Sequence, residues 1–209
     1  MIFTPLKLDG IIKVELELHE DERGGFARCY CKKEFQNAGL PTNWLQMNIS
    51  SNLQSGTLRG LHYQTPPASE AKLVRCSKGA IWDVAVDLRK DSQSFGKWLA
   101  IELSDSNHHA LYIPAGFAHG FQTLHDDTNL LYMHSELYNP GYEGGINPFD
   151  AQLAIPWPLP VTRISERDRE LPNLTNTKPL EHLQQKIGIK KVLLKTQSSS
   201  RLSSKGRIS

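Results

Sequence analysis

Ile81-Trp82-Asp83-Val84-Ala85-Val86-Asp87-Leu88 is the stretch that decides the fold class. Trp82, Val84, Val86 and Leu88 share one parity, and Asp83, Ala85 and Asp87 the other. That is the period-two pattern of a half-buried strand, with one face in the core and carboxylates lining the opposite face. Working outward, strand readings also hold for residues 11–18, 72–77, 98–103, 110–113 and 128–138, punctuated by Gly, Pro, Asp or Asn. Only short helices are expected: 32–38, stopped by Gly39 and Pro41, and 165–171, stopped by Pro172. Many short strands with few helices between them predict an all-β antiparallel barrel or sandwich, a jelly roll, rather than a βαβ sheet.

The 209 residues can bury one sizeable core, so one domain is expected over residues 1–180. Residues 181–209 lose the strand pattern. Beyond Glu181 they carry Lys186, Lys190, Lys191, Lys195, Arg201, Lys205 and Arg207 without another acid, and end Ser-rich, which predicts a loose basic tail. Within it, residues 186–195 interleave Ile187, Ile189, Val192, Leu193 and Leu194 with lysines, the makings of a basic amphipathic helix. A composition of 39% hydrophobic and 22% charged residues is that of an ordinary globular chain. The three cysteines, Cys29, Cys31 and Cys76, are odd in number and fit a reducing compartment. The first residues lack the pattern of a signal peptide, and no apolar run approaches the ~20 residues of a membrane span, so the expected location is the cytoplasm.

Two motifs could carry chemistry. In Gly56-Thr57-Leu58-Arg59-Gly60-Leu61-His62-Tyr63-Gln64, an arginine and a histidine stand three apart between glycines. In an extended strand they point to opposite faces, so they meet in one pocket only beside a bulge or strand end. The spacing alone favours a hairpin with a packed histidine. In Pro114-Ala115-Gly116-Phe117-Ala118-His119-Gly120, the Pro-x-Gly-x-x-His pattern resembles the second motif of cupins, barrels that often bind a transition metal. A cupin metal site also needs a second histidine where this chain has Gln64, which leaves His62 and His119 as candidates. His108 and His109, in a polar run, are expected to face solvent. No metal is therefore expected.

The chain resembles the dTDP-4-dehydrorhamnose 3,5-epimerase family, a metal-free branch of the cupin jelly rolls. The resemblance runs from about residue 10 to about residue 172. It is carried by Asp21-Glu22-Arg23-Gly24, Lys72-Leu73-Val74-Arg75-Cys76, Asp83 through Arg89, Ile113 through Phe121 and Ser165-Glu166-Arg167-Asp168, together with Leu58 through Gln64. It implies an epimerase that removes hydrogens beside the 4-keto group of a nucleotide-diphospho-6-deoxyhexose, with no cofactor, acting as a homodimer. Neither nucleic acid nor a membrane span enters.

By the same resemblance, His62 is the base, Asp168 the carboxylate orienting it and Tyr132 the acid. Lys72 stands near the developing enolate oxygen, and His119 touches substrate. Arg23 and Arg59 take the diphosphate, for which a planar guanidinium fork is suited. Tyr138 stacks on the nucleobase, while Gln46, Asn48, Glu143 and Arg167 make further contacts. The residues also admit blander roles. Ser165 and Asp168 resemble a helix cap, Tyr132 a packed strand aromatic and Lys72 an exposed strand lysine. Rival activities are epimerisation at C3 alone, metal-dependent cupin chemistry, and non-catalytic sugar-nucleotide binding.

Two positions depart from the family pattern: Arg28 where an acid is usual, and Met47 in place of an aspartate between Gln46 and Asn48. Residues 145–150 also lack an expected tryptophan. These departures predict retained proton-transfer chemistry with altered nucleobase preference.

Overall fold

The computed structural model describes residues 1–181, so the basic tail and its possible helix over 186–195 lie outside the described residues. Thirteen strands and two short helices are found among these residues. They are β1 (Ile2–Pro5), β2 (Ile12–Glu15), β3 (His19–Asp21), β4 (Gly24–Phe26), α1 (Lys32–Asn37), β5 (Gln46–Asn52), β6 (Leu58–Gln64), β7 (Lys72–Lys78), β8 (Ala80–Asp87), β9 (Trp98–Ser104), β10 (His109–Ile113), β11 (Phe117–Thr123), β12 (Thr128–His134), β13 (Glu143–Gly145) and α2 (Glu166–Arg169). One sheet has the order β1-β2-β10-β7-β12-β5, the other β13-β6-β11-β8-β9, and β3 and β4 form a separate hairpin. All ladders between these strands are antiparallel. The result is the expected jelly roll. No described helix is long and apolar enough to cross a membrane.

Strand alternation explains the layers. Val74, Cys76, Leu111, Ile113 and Leu130 of the six-stranded sheet meet Ile81, Ala85, Leu103, Phe117 and Phe121 of the five-stranded sheet in a central core. The opposite parity of β8, Val84 and Val86 with the following Leu88, packs outward under Leu153, Ile155, Leu174 and Leu180. On the far side, Phe35 of α1 and Leu40 cover Ile12, Val14, Leu73 and Tyr112. Helix α1 stops where anticipated: Gly39 takes a φ of +73°, and Leu40 N–H donates to the Phe35 carbonyl. Both sheets are thus buried on both faces over much of their area.

That double burial corrects the first reading of β8. Its carboxylates do not face solvent: Asp83 and Asp87 are fully buried. Asp87 accepts from the Arg89 backbone and guanidinium and from the Ser92 and Ser94 hydroxyls, pinning the loop after β8. Two further strands are shorter than read. The 11–18 run leaves the sheet after Glu15, and the 128–138 run ends at His134. Beyond it, the Gln64 side chain donates to the Leu137 carbonyl and accepts from Asn139 N–H, holding that segment as a loop. His109, expected in solvent, opens β10 and is only partly exposed.

Burial pushes the Asp87 carboxyl up, but Arg89 and the two serine hydroxyls outweigh it and hold the group below its ordinary value. Its contribution to stability is therefore present above the unfolded carboxylate pKa of ~3.9 and is lost as pH falls through the lower folded value. Asp87→Asn is expected to cost about 3–5 kcal/mol at pH 7, the usual penalty for breaking a buried ion pair. Urea denaturation at pH 7 and at successively lower pH checks this, with the wild-type advantage shrinking as the carboxylate protonates.

Candidate active site

A cavity of about 510 Å³ opens between the two sheets. Its floor and walls depend on one irregularity in β6. His62 pairs with His119 and Arg59 with Phe121, so Gly60 and Leu61 of β6 lie opposite the single residue Gly120 of β11. This bulge changes the parity of β6 and brings Arg59 and His62 to the same cavity, the condition that their three-residue spacing required. The two glycines make it possible. A Cβ on Gly60, whose φ is +114°, would lie 2.5 Å from Gly120 Cα, and one on Gly120 would lie 2.5 Å from the Arg59 carbonyl oxygen.

His62 lies beside Asp168, with Nε2 2.8 Å from Oδ1. The other carboxylate oxygen accepts from Gly60 N–H at 3.0 Å, so Asp168 grips both the bulge and the imidazole. Asp168 is buried, and burial pushes its carboxyl up, but the bonds from His62 and Gly60 prevail and hold it below its ordinary value. In the neutral imidazole the Asp168 carboxylate accepts from Nε2–H, an arrangement that leaves the lone pair on Nδ1. The cap reading holds as well: Ser165 precedes α2, and its hydroxyl accepts from Asp168 N–H at 3.0 Å.

Tyr132 reaches the cavity from β12, in the opposite sheet from His62. Burial and the nearby Asp83 charge push its phenol well above the ordinary value, against the opposing influence of Arg59 and the Ser50 hydroxyl, so it is a protonated donor. His119 is buried with Nε2 2.7 Å from Asp83 Oδ1, and its ring meets Tyr132 edge-on at 6.0 Å. The exposed-lysine reading of Lys72 fails. Only 7% of the residue is exposed, and Nζ lies 3.2 Å from Glu70 and donates to the His62 carbonyl at 3.3 Å.

At the mouth, Tyr138 donates its hydroxyl to Glu143, which also pairs with Arg167 at 2.5 Å. Burial raises the Glu143 carboxyl, but Arg167 and Tyr138 hold it below its ordinary value. Gln46, Asn48 and Arg59 complete the polar lining. The cavity thus gathers every anticipated site residue except Arg23. That arginine is 84% exposed in the turn between β3 and β4, where it pairs with Asp21. Arg28 and Met47 are also absent from the lining: Arg28 pairs with Glu34, and Met47 is exposed on the outer face of edge strand β5. Neither residue lines this cavity.

Sequence reading missed Asp83, Glu70 and His134 as members of the site. His134 was accessible in principle, because it is two residues from Tyr132 on the same strand and so shares its face. A metal fits poorly. His62 and His119 each commit Nε2 to a carboxylate, the Gln64 side chain is bonded to backbone, and no group of three potential ligands is found among the described residues.

The family described as dTDP-4-dehydrorhamnose 3,5-epimerase matches residues 5–176. The chain belongs to this family. The dTDP-4-dehydrorhamnose 3,5-epimerase of Methanothermobacter thermautotrophicus is 44% identical over 181 residues, which are 85% of this chain and 94% of the relative. The dTDP-4-dehydrorhamnose 3-epimerase of Streptomyces niveus is 37% identical over 171 residues, 81% of this chain and 82% of the relative. The crystal structure of the Bacillus anthracis dTDP-4-dehydrorhamnose 3,5-epimerase, with TDP and pyrophosphate bound, aligns with a TM-score of 0.81 at 40% identity. The alignment covers 83% of this chain and 99% of the other. Membership makes the chain an isomerase.

Since a Cβ on Gly120 would meet the Arg59 carbonyl oxygen at 2.5 Å and the buried Leu61 side chain at 2.9 Å, Gly120→Ala must displace the bulge. An overpacking cost of ~1–3 kcal/mol is expected. Thermal and urea denaturation measure it, and stability equal to the parent's would show that the close approach is not needed.

Proposed function

We propose that the chain epimerises C3 and C5 of a dTDP-4-dehydro-6-deoxyglucose-type sugar nucleotide. The observation that supports this most is the placement of the His62–Asp168 pair and Tyr132 on opposite sheets around one cavity, with the Lys72 ammonium beside them. Neutral His62 removes the hydrogen from the carbon next to the C4 ketone. The electron pair moves to the ketone oxygen as an enolate, and Tyr132 returns a proton from the other face, inverting the carbon. The imidazolium and phenolate then exchange protons with solvent. A base in this position contributes ~10² to 10⁴ in rate, and a preorganised partner for the oxyanion, here Lys72, ~10² to 10³. His119 confines the sugar against Tyr132.

The diphosphate is assigned to Arg59, and the nucleobase to the mouth formed by Tyr138, Glu143 and Arg167, with Gln46 and Asn48 along the wall. Arg23 carries no part of this assignment. Inversion of both carbons is the reading favoured by the Methanothermobacter relative, whereas the name of the Streptomyces relative favours C3 alone. Homodimeric assembly belongs to the proposal, and the exposed Met47 and Ile49 on edge strand β5 offer it an apolar surface. Cytoplasmic residence likewise goes with a nucleotide-linked substrate.

Incubation with dTDP-4-dehydro-6-deoxyglucose in deuterated water tests the reaction. Label at both C3 and C5 with inverted configuration is expected; label at C3 alone supports the mono-epimerase, and no exchange defeats both. His62→Ala is expected to lower exchange by about 10²-fold or more with the fold intact. Tyr132→Phe is expected to keep appreciable label entry while net inversion collapses. Near-normal turnover in a folded His62→Ala variant removes the base assignment.

Because Arg28 and Met47 lie off the cavity, dTDP is expected to outcompete UDP, CDP and GDP, reversing the expectation drawn from those two residues alone. One mispaired buried polar group costs ~1–3 kcal/mol, so the preference is at least about fivefold. Competition calorimetry measures it, and equal affinities would refute it.

A further inference from the structure

One wall of the cavity carries a continuous chain of hydrogen bonds whose two ends have fixed polarity. At the outer end Tyr138 backbone N–H can only donate, and it meets the Gln46 side-chain oxygen at 3.0 Å. The amide nitrogen of Gln46 must then face Asn48, and it donates to Oδ1 at 3.2 Å. Asn48 is left with its NH₂ toward His134, 3.4 Å from Nε2. An NH₂ group cannot accept, so Nε2 is the acceptor and carries no proton. The other ring nitrogen, Nδ1, therefore holds the proton and donates to Glu70 Oε2 at 2.7 Å. At the inner end the Lys72 ammonium, which also can only donate, lies 3.2 Å from Glu70 Oε1. Donors converge on Glu70 from both directions, and only a carboxylate accepts both.

We infer that Glu70 and His134 are positioning residues for the epimerase reaction, locking His134 in its neutral Nδ1–H form so that Gln46, Asn48 and Lys72 are held in one orientation toward the substrate. The inference rests on the proposed function for the identity of that substrate. Glu70 and His134 lie almost wholly inside the wall, with 9% and 13% of their side chains exposed, and His134 stacks on Tyr132 at 6.0 Å and 20°. They act through their neighbours. The rest of the site needs no such chain: His62 is already oriented by Asp168, and His119 by Asp83.

The isosteric Glu70→Gln substitution exposes the polarity. Glutamine has one oxygen and one NH₂, and Lys72 can use only the oxygen. The NH₂ must then face His134 Nδ1, which can accept only if the ring adopts the Nε2–H form. Nε2–H in turn opposes the Asn48 NH₂, so Asn48 and Gln46 must turn over and the Tyr138 N–H loses its acceptor. The bonds broken lie along the binding wall and not at the base.

The test uses the full chain with ¹⁵N-labelled histidine. Two-bond ¹H–¹⁵N spectra at pH 8 are expected to show His134 as the Nδ1–H tautomer in the parent and as Nε2–H in Glu70→Gln. His134→Phe assigns the resonance. With dTDP-4-dehydro-6-deoxyglucose as probe, KM for Glu70→Gln is expected to rise about tenfold while kcat stays within about threefold, the pattern of lost uniform binding. A parent His134 in the Nε2–H form, a tautomer unchanged by Glu70→Gln, or an unchanged KM would each overturn the inference. If the parent fails to turn over this substrate, the proposed function falls, and the tautomer of the parent and its response to Glu70→Gln still decide the polarity of the chain.

Discussion

The Asp168 carboxylate is the constraint on which the site depends. It lies 106 residues along the chain from His62, yet its two oxygens hold the His62 imidazole and the Gly60 amide on the same strand. A buried carboxylate is costly unless its oxygens are satisfied, and both are. The consequence runs in two directions. The bulge in β6 is held where Arg59 and His62 share the cavity, and the short helix α2 is held against β6, with Ser165 capping it at Asp168 N–H. Removing the carboxylate would release the His62 imidazole and free the bulge beside it.

Around that anchor the sandwich divides its interior. One part is filled as an ordinary core by Ile81, Ala85, Leu103, Leu111, Phe117 and Leu130. The other is left open and lined by Glu70, Lys72, His119, Tyr132, His134 and Asp168. The partition passes along β8, where Asp83 stands between Ile81 and Ala85 on the inward face. Asp83 is satisfied at only one oxygen: Oδ1 meets His119, while Oδ2 has no hydrogen-bond partner among the described residues. Such a group costs stability, ~1–3 kcal/mol by the usual scale for a buried unpaired acceptor. Its charge also acts on the neighbouring site, adding to burial in pushing the Tyr132 phenol up.

The elements that pack by plain alternation were legible in the sequence, and those that serve the cavity were not. β7, β9 and β10 fall within a residue or two of their expected bounds because each sends alternate apolar residues to the central core: Val74 and Cys76, Leu99, Ile101 and Leu103, and Leu111 and Ile113. β5 escaped notice because its pattern is inverted: the polar Gln46, Asn48 and Ser50 line the cavity, whereas the apolar Met47 and Ile49 are exposed, Ile49 also reaching the cavity lining. A reader who assumes that apolar residues mark the inside assigns such a strand to no sheet. Asp83 and Asp87 misled for the same reason, since a carboxylate in an alternating run usually marks solvent. The individual site residues rested on family resemblance, and the cavity gathers all but Arg23. Spacing could not have joined His62 to Asp168, nor shown that the Arg59–His62 interval contains a bulge.

The sandwich itself offers a reason for the proposed stereochemistry. Packed sheets stand roughly 10 Å apart, which leaves room for one flat sugar ring between inward-pointing side chains. His62 belongs to the five-stranded sheet, and Lys72 and Tyr132 to the six-stranded sheet. A ring lying between the sheets therefore presents one face to an acceptor of protons and the other to a donor, without any group having to cross it. Tethering makes the arrangement rigid. Lys72 bonds the His62 carbonyl across the gap, and Asp168 fixes the imidazole from behind. In the proposed reaction, with His62 and Tyr132 held on different sheets, a proton removed from one face of the sugar is replaced on the other. Under that proposal, which carbons invert depends on how the nucleotide end seats the sugar, the task assigned to Arg59 and to the mouth formed by Tyr138, Glu143 and Arg167, with Gln46 and Asn48 along the wall.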